Sequence, residues 1–103
     1  MNFGEAIEAL KAGKKVARQG WNGKGMWLIL VPGTFPAYIQ PGTKYHSALL
    51  NEFEITSPTD EIQSEILPHI DMWTINASGR RAMLPGWLAS QSDMLAEDWE
   101  VIL

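Results

Sequence analysis

The sequence predicts an α+β domain, with a small antiparallel sheet, an N-terminal helix, a short C-terminal helix and assembly into an oligomer. Three observations carry that prediction. Phe3, Ala6, Ile7 and Leu10 fall on one helical stripe, with Glu5, Glu8 and Lys11 opposite. Extended segments follow, separated by turn signals at Asn22-Gly23 and Ala77-Ser78-Gly79-Arg80. The third is Met26-Trp27-Leu28-Ile29-Leu30-Val31, which is apolar without alternation. Such a strand needs cover on both faces. The helix supplies one cover and a second subunit the other.

Each element has a local cause. Asn2 and Glu5 stand at capping-box spacing and open the first helix; Gly13 stops it, and Lys14 and Lys15 complement its negative end. Val16 to Trp21 and Lys24 to Val31 are expected as the arms of a hairpin turning at Asn-Gly, where both central residues take positive φ. Residues 32 to 68 hold five of the six prolines and five of the twelve acids. They read as an insertion-like loop, with a short helix starting at Ser57-Pro58-Thr59-Asp60 and running through Leu67. Tyr45 to Phe53 stays undecided. His69 to Asn76 reads as a strand, Arg81 to Leu84 as its return, and Trp99 to Leu103 as a closing strand. Between the last two, Ser90 lies three residues ahead of Asp93, so Gln91 to Ala96 is expected as a helix of about one and a half turns.

Composition bounds the function. A chain of 103 residues is expected to form a single domain, 1–103. There is no cysteine, hence no disulfide, thiolate metal site or thiol nucleophile. The N-terminus lacks a basic start and an apolar signal core, and Met26 to Pro32 is far shorter than the roughly 20 residues a bilayer span takes. The expectation is a soluble intracellular protein with no membrane partner. Charge is uneven along the chain. Lys11, Lys14, Lys15, Arg18 and Lys24 form a block without an acid, whereas Glu52, Glu54, Asp60, Glu61, Glu65 and Asp71 form one without a base. These are either two solvated faces or, for the basic block, a local anion site. A net charge of −4 disfavours DNA.

Catalysis is poorly supplied, and no enzyme is expected. His46 and His69 read as ordinary surface or loop residues, and His69 and Asp71 lack the further donors a metal needs. The glycines at 20, 23 and 25 form no phosphate loop of Walker or Rossmann type. No metal and no cofactor are expected. Binding is better supplied. Trp21 beside Arg18 and Lys24 fits base stacking next to phosphate as well as it fits packing. Trp27 and Trp99 read as core or interface rings. Trp87 opens the polar stretch Ser90-Gln91-Ser92-Asp93, whose helix start would offer free N–H groups to an anion; Asp93 fits a cap equally well.

Two long motifs, "MNFGEAIEALKAGKKVARQGWNGKGMWL" and "GWLASQSDMLAEDWEVI", resemble the second type of Thoeris anti-defence protein from phages and prophages. The resemblance covers roughly residues 1 to 32 and 68 to 103 and leaves 33 to 67 unmatched. It implies a homotetrameric sponge in the host bacterial cytoplasm. Such a sponge sequesters, without degrading, the cyclic ADP-ribose isomers (glycocyclic ADP-ribose) made by bacterial TIR-domain enzymes. Some members also take up cyclic oligonucleotides at a separate site. The resemblance carries ligand contact to Trp21, Asn22, Ser90, Gln91 and Asp93. Electrostatics add Arg18, and Trp87 supplies a wall. The alternatives are an enzyme that cleaves the same cyclic nucleotides and a protein-binding inhibitor acting through the acidic middle segment.

Overall fold

The computed structural model describes residues 1–49 and 60–103, with the side chains of 22–24 and 45 outside that description. In chain order the elements are α1 (Phe3–Lys11), β1 (Lys15–Arg18), a 3-10 helix (Gln19–Lys24), β2 (Trp27–Val31), β3 (Thr34–Ile39), α2 (Lys44–Leu49), β4 (Ile62–Ile66), β5 (His69–Ile75), β6 (Arg81–Leu84), α3 (Gln91–Leu95) and β7 (Trp99–Ile102). They form two compact units, one from residues 1–32 and 68–103 and the other from 33–67. The class is α+β, as the sequence predicts.

In the larger unit, five strands pair antiparallel in the order β6-β5-β2-β1-β7. α1 begins with the expected capping box: Asn2 Oδ1 accepts from Glu5 N at 2.8 Å, and Asn2 N donates to Glu5 Oε1 at 2.9 Å. Its stripe reaches the sheet through Ala6 and Leu10, which form the core with Val16, Leu28 and Trp99. Phe3, Ile7, Leu30, Ile70, Met72 and Val101 pack around that core. Because strand side chains alternate, Leu28 and Leu30 face α1 whereas Trp27, Ile29 and Val31 take the other face. There Trp27 stacks on Trp73 at 5.8 Å between centroids, with Lys15 Nζ 5.0 Å from the Trp27 ring.

The first connection departs from expectation. β1 and β2 do pair, but the chain between them is a 3-10 helix rather than a two-residue turn at Asn22-Gly23. A turn centred there would set Val16 opposite Ile29, whereas the register is Val16 opposite Leu28. One residue of slip exchanges the faces of a strand, and this register puts both buried residues, Val16 and Leu28, under α1. Core burial overrides the turn signal. Gly25 then redirects the chain into β2 at φ 64°, a backbone region that glycine occupies without a Cβ penalty.

The smaller unit corrects the sequence reading in two places and decides it in a third. β3 and β4 form a two-stranded antiparallel sheet, with Ile39 opposite Ile62. Residues 62–66 are therefore strand, and the helix expected through Leu67 is absent there; its start at 57–59 lies outside the described residues. β-branched Ile62 and Ile66 at the two ends of Ile-Gln-Ser-Glu-Ile favour an extended chain with a partner. Lys44–Leu49 is helical, which decides part of the undecided stretch; residues 50–59 lie outside the described residues. His46 is not a surface residue. It is 1 % exposed, with Nε2 2.6 Å from the Asp60 carbonyl and its N–H donating to Thr43 Oγ1 at 3.0 Å.

Candidate ligand site

Trp99 organises one end of the larger unit. It is 2 % exposed, and its ring meets Phe3 at 5.6 Å and Trp21 at 5.4 Å between centroids, with Trp87 at 6.1 Å. Trp21 and Trp87 also meet each other edge to face at 6.2 Å. The four rings come from four places: α1, the 3-10 helix, the stretch after β6 and β7. Edge-on contacts of this kind are worth about 0.5–1.5 kcal/mol each beyond the area they bury. Trp21 and Trp87 remain half-buried, so each keeps part of its ring at the surface.

Position along the strands brings polar groups to the same place. Val16 and Arg18 share a face of β1, and Arg18 lies opposite Trp99 in the register. Val16 enters the core, and Arg18 reaches its rim. There Arg18 Nε donates to Asp98 Oδ1 at 3.0 Å, and Nη1 donates to Asp93 Oδ1 at 3.1 Å. Those hydrogen bonds, Asp98's the larger, hold the guanidinium even more firmly protonated than usual. Gln19 N donates to the Asp98 carbonyl at 3.0 Å, fixing the start of the 3-10 helix beside the same aspartate.

α3 is positioned first by three hydrogen bonds between Asp93 and the preceding Ser90. Ser90 Oγ accepts from Asp93 N at 3.1 Å, while Asp93 Oδ2 accepts from Ser90 N at 3.0 Å and from Ser90 Oγ at 2.8 Å. This is the capping box the spacing predicts. The buried Trp99 indole N–H donates to the Asp93 carbonyl at 2.9 Å, tying the helix to the aromatic cluster. Desolvation is the largest influence on Asp93 and raises its pKa. Hydrogen bonds from the Ser90 N–H and hydroxyl and from Arg18 outweigh it, so the carboxyl titrates below its ordinary value.

Of the residues singled out in sequence, Arg18, Trp21, Trp87, Ser90 and Asp93 are thus brought together. Gln91 is exposed on the first turn of α3, and among the described residues no hydrogen bond holds its amide. Asn22 has its backbone in the 3-10 helix; its side chain lies outside the described residues. Two expectations change. Arg18 is not an open cation, because two carboxylates already engage it. At the start of α3 the capping box occupies the N–H groups of Ser90 and Asp93, and its carboxylate puts a negative charge where an anion was expected. The basic block is also dispersed: Lys15 and Arg18, three residues apart in β1, point to opposite faces, and Lys11 pairs with Glu8 at 3.6 Å.

Sequence reasoning missed two aspartates. Asp98 was not singled out at all; its place just before Trp99 was the available signal. Asp71 reads in sequence only as a member of the acidic block and as a metal donor beside His69. It is 3 % exposed, and its Oδ1 accepts from Gly86 N at 3.0 Å and lies 3.4 Å from His69 Nε2. Trp87 N donates to the Ile70 carbonyl at 2.6 Å, so β5 secures Gly86 and Trp87 together. An acid between Ile70 and Met72 of an apolar strand was the sign of such a task. Among the described residues, no group of three or more His, Asp and Glu could hold a metal, and no helix is long and apolar enough to cross a membrane.

Fold and site together define a small α+β domain with an aromatic cluster and a carboxylate-clamped arginine at one end of a five-stranded sheet. Comparison with known proteins gives this domain its family. A model of the Thoeris anti-defense 2-like domain matches residues 1–102, so the match runs through the middle segment as well as both ends. Thoeris anti-defense 2 of Bacillus phage SP01 is 34 % identical over 102 residues, covering 99 % of this chain and 94 % of that protein. The chain belongs to the Thoeris anti-defense 2-like family.

Proposed function

We propose that the protein is an anti-defence sponge, binding glycocyclic ADP-ribose made by bacterial TIR-domain proteins and holding it without cleaving it. Family membership supports the anti-defence role. The observation that carries the ligand reading is the meeting of half-buried Trp21 and Trp87 with Arg18, Ser90 and Asp93. A nucleotide offers an aromatic base, ribose hydroxyls and phosphate oxygens. Tryptophan faces suit the first, a carboxylate and a serine hydroxyl the second, and a guanidinium the third. The protein acts in the cytoplasm of the host bacterium, needs no metal or cofactor, and works as a homotetramer. Other cyclic oligonucleotide signals are a second ligand class within this reading.

Recovery of the ligand tests it. Glycocyclic ADP-ribose is incubated with the protein, which native mass spectrometry then weighs for bound mass before heat denaturation releases the ligand. A sponge retains one ligand per site and returns it intact. Cleaved ligand, or clearance of signal by a substoichiometric amount of protein, identifies an enzyme instead. Failure to retain any ligand, with activity lost on charge reversal of Glu52, Glu54 and Asp60, identifies a protein-binding inhibitor.

A further inference from the structure

Arg18 is aimed by two carboxylates of unequal freedom. Asp93 spends both oxygens inside the larger unit, Oδ1 on Arg18 and Oδ2 on Ser90. Asp98 spends Oδ1 on Arg18 Nε, and among the described residues nothing holds its Oδ2. On the guanidinium, Nε and one N–H of Nη1 are taken, which leaves Nη2 facing neither aspartate among the described contacts. The Arg18 and Asp93 side chains are 26 % and 13 % exposed, so the fork is held at a partly dried rim rather than in open water. One cation flanked by two carboxylates repels a bare anion. It suits a ligand that brings an acceptor oxygen for Nη2 together with a hydroxyl for a carboxylate.

Resting on the sponge reading above, we infer that Asp98 is the positioning residue that fixes the Arg18 fork, and that the Asp98–Arg18–Asp93 clamp selects a ribose-bearing phosphate ester over a bare phosphoanion. Asp98 acts through Arg18 by locking its Nε, which fixes the plane of the guanidinium. Its negative charge sets the selectivity. Removing that charge without changing the shape therefore has opposite effects on two probes. A ribose-bearing ligand loses the aimed fork, whereas a simple anion loses a repulsion.

Calorimetric titration of wild type, Asp98→Asn and Asp98→Glu with glycocyclic ADP-ribose and with inorganic pyrophosphate separates the effects. In wild type, pyrophosphate binds at least about 100-fold more weakly than glycocyclic ADP-ribose. Asp98→Asn is expected to weaken glycocyclic ADP-ribose by about tenfold, the loss of one charged hydrogen bond, and to tighten pyrophosphate by a few fold. Asp98→Glu, which restores charge and acceptor, recovers part of the loss. Equal weakening of both probes, or no change in either, overturns the inference while wild-type binding leaves the sponge reading standing. Wild type that binds no glycocyclic ADP-ribose overturns both. Melting curves on each variant check the fold. Should Asp98→Asn unfold, Asp98→Glu and wild type still decide through their ratio of the two affinities, which a purely structural aspartate would leave unchanged.

Discussion

Trp21 packs at the edge of the core and, in the sponge reading proposed above, also stacks on a base. Its ring leans edge-on against Trp87 and Trp99, so part of it belongs to the core periphery, while the half-buried remainder is available to stack on a base. Sequence alone left packing and stacking open, and the structure places the residue where both are physically possible. Trp21→Ala is therefore expected to cost stability as well as affinity. Full burial of a tryptophan makes truncation cost about 3–5 kcal/mol, and half burial brings that to about 2 kcal/mol. A domain stable by about 5–15 kcal/mol survives the loss. Binding of glycocyclic ADP-ribose should fall about ten- to hundred-fold, the worth of one base–aromatic stack. Urea denaturation and calorimetry on the same variant measure the two effects. Unchanged affinity in a destabilised but folded variant would assign the ring to packing alone.

At the scale of elements, what was legible depended on how local the cause was. α1 and α3 were readable because each capping box is closed within three residues, Asn2 with Glu5 and Ser90 with Asp93. β5 and β6 were readable from apolar runs about a turn signal. The β1–β2 connection was misread because the register is set by Val16 and Leu28 meeting α1, a contact that no window around Asn22-Gly23 contains. β4 was misread for the same reason, since its partner β3 lies more than 20 residues earlier. The site follows the same division. Its tryptophans and the Ser90–Asp93 pair stood out in sequence, whereas the clamp joins residues 75 and 80 positions apart.

α3 also carries a pH dependence. Five residues are too few to hold a helix unaided, so the box and the Arg18 pair maintain it. The folded pKa of Asp93 lies below its ordinary 3.8. A depressed carboxyl adds stability above its unfolded pKa and loses it as pH falls through the folded value. Wild type should thus melt higher than Asp93→Asn above about pH 5, and the gap should narrow as pH falls below the ordinary 3.8. A gap that stays constant down to pH 2.5 in thermal scans would mean that the carboxylate charge does not support α3.

The whole molecule exposes apolar side chains next to the site elements. Leu88 is 89 % exposed, Leu95 is 73 % exposed, and Leu84 and Met94 are exposed as well. Single exposed leucines are ordinary, but several on and around one short helix are the composition of an interface core. The homotetramer proposed above would bury them, and it would let a small domain enclose a nucleotide. Nanomolar retention corresponds to about −12.3 kcal/mol, a large figure for a ligand of this size, and a ligand stacked on Trp21 and Trp87 would be covered on one side only. Contacts from a second copy would close the other. Light scattering at micromolar concentration should therefore give about four times 11.5 kDa. Leu95→Glu, which puts a charge into the seam of the proposed tetramer without touching the capping box, should shift the mass downward and weaken glycocyclic ADP-ribose about tenfold or more, since each interface charge left unpaired costs at least that much. A monomer that still retains the ligand at full strength would remove the seam from the mechanism, and a tetramer indifferent to Leu95→Glu would move it to another face.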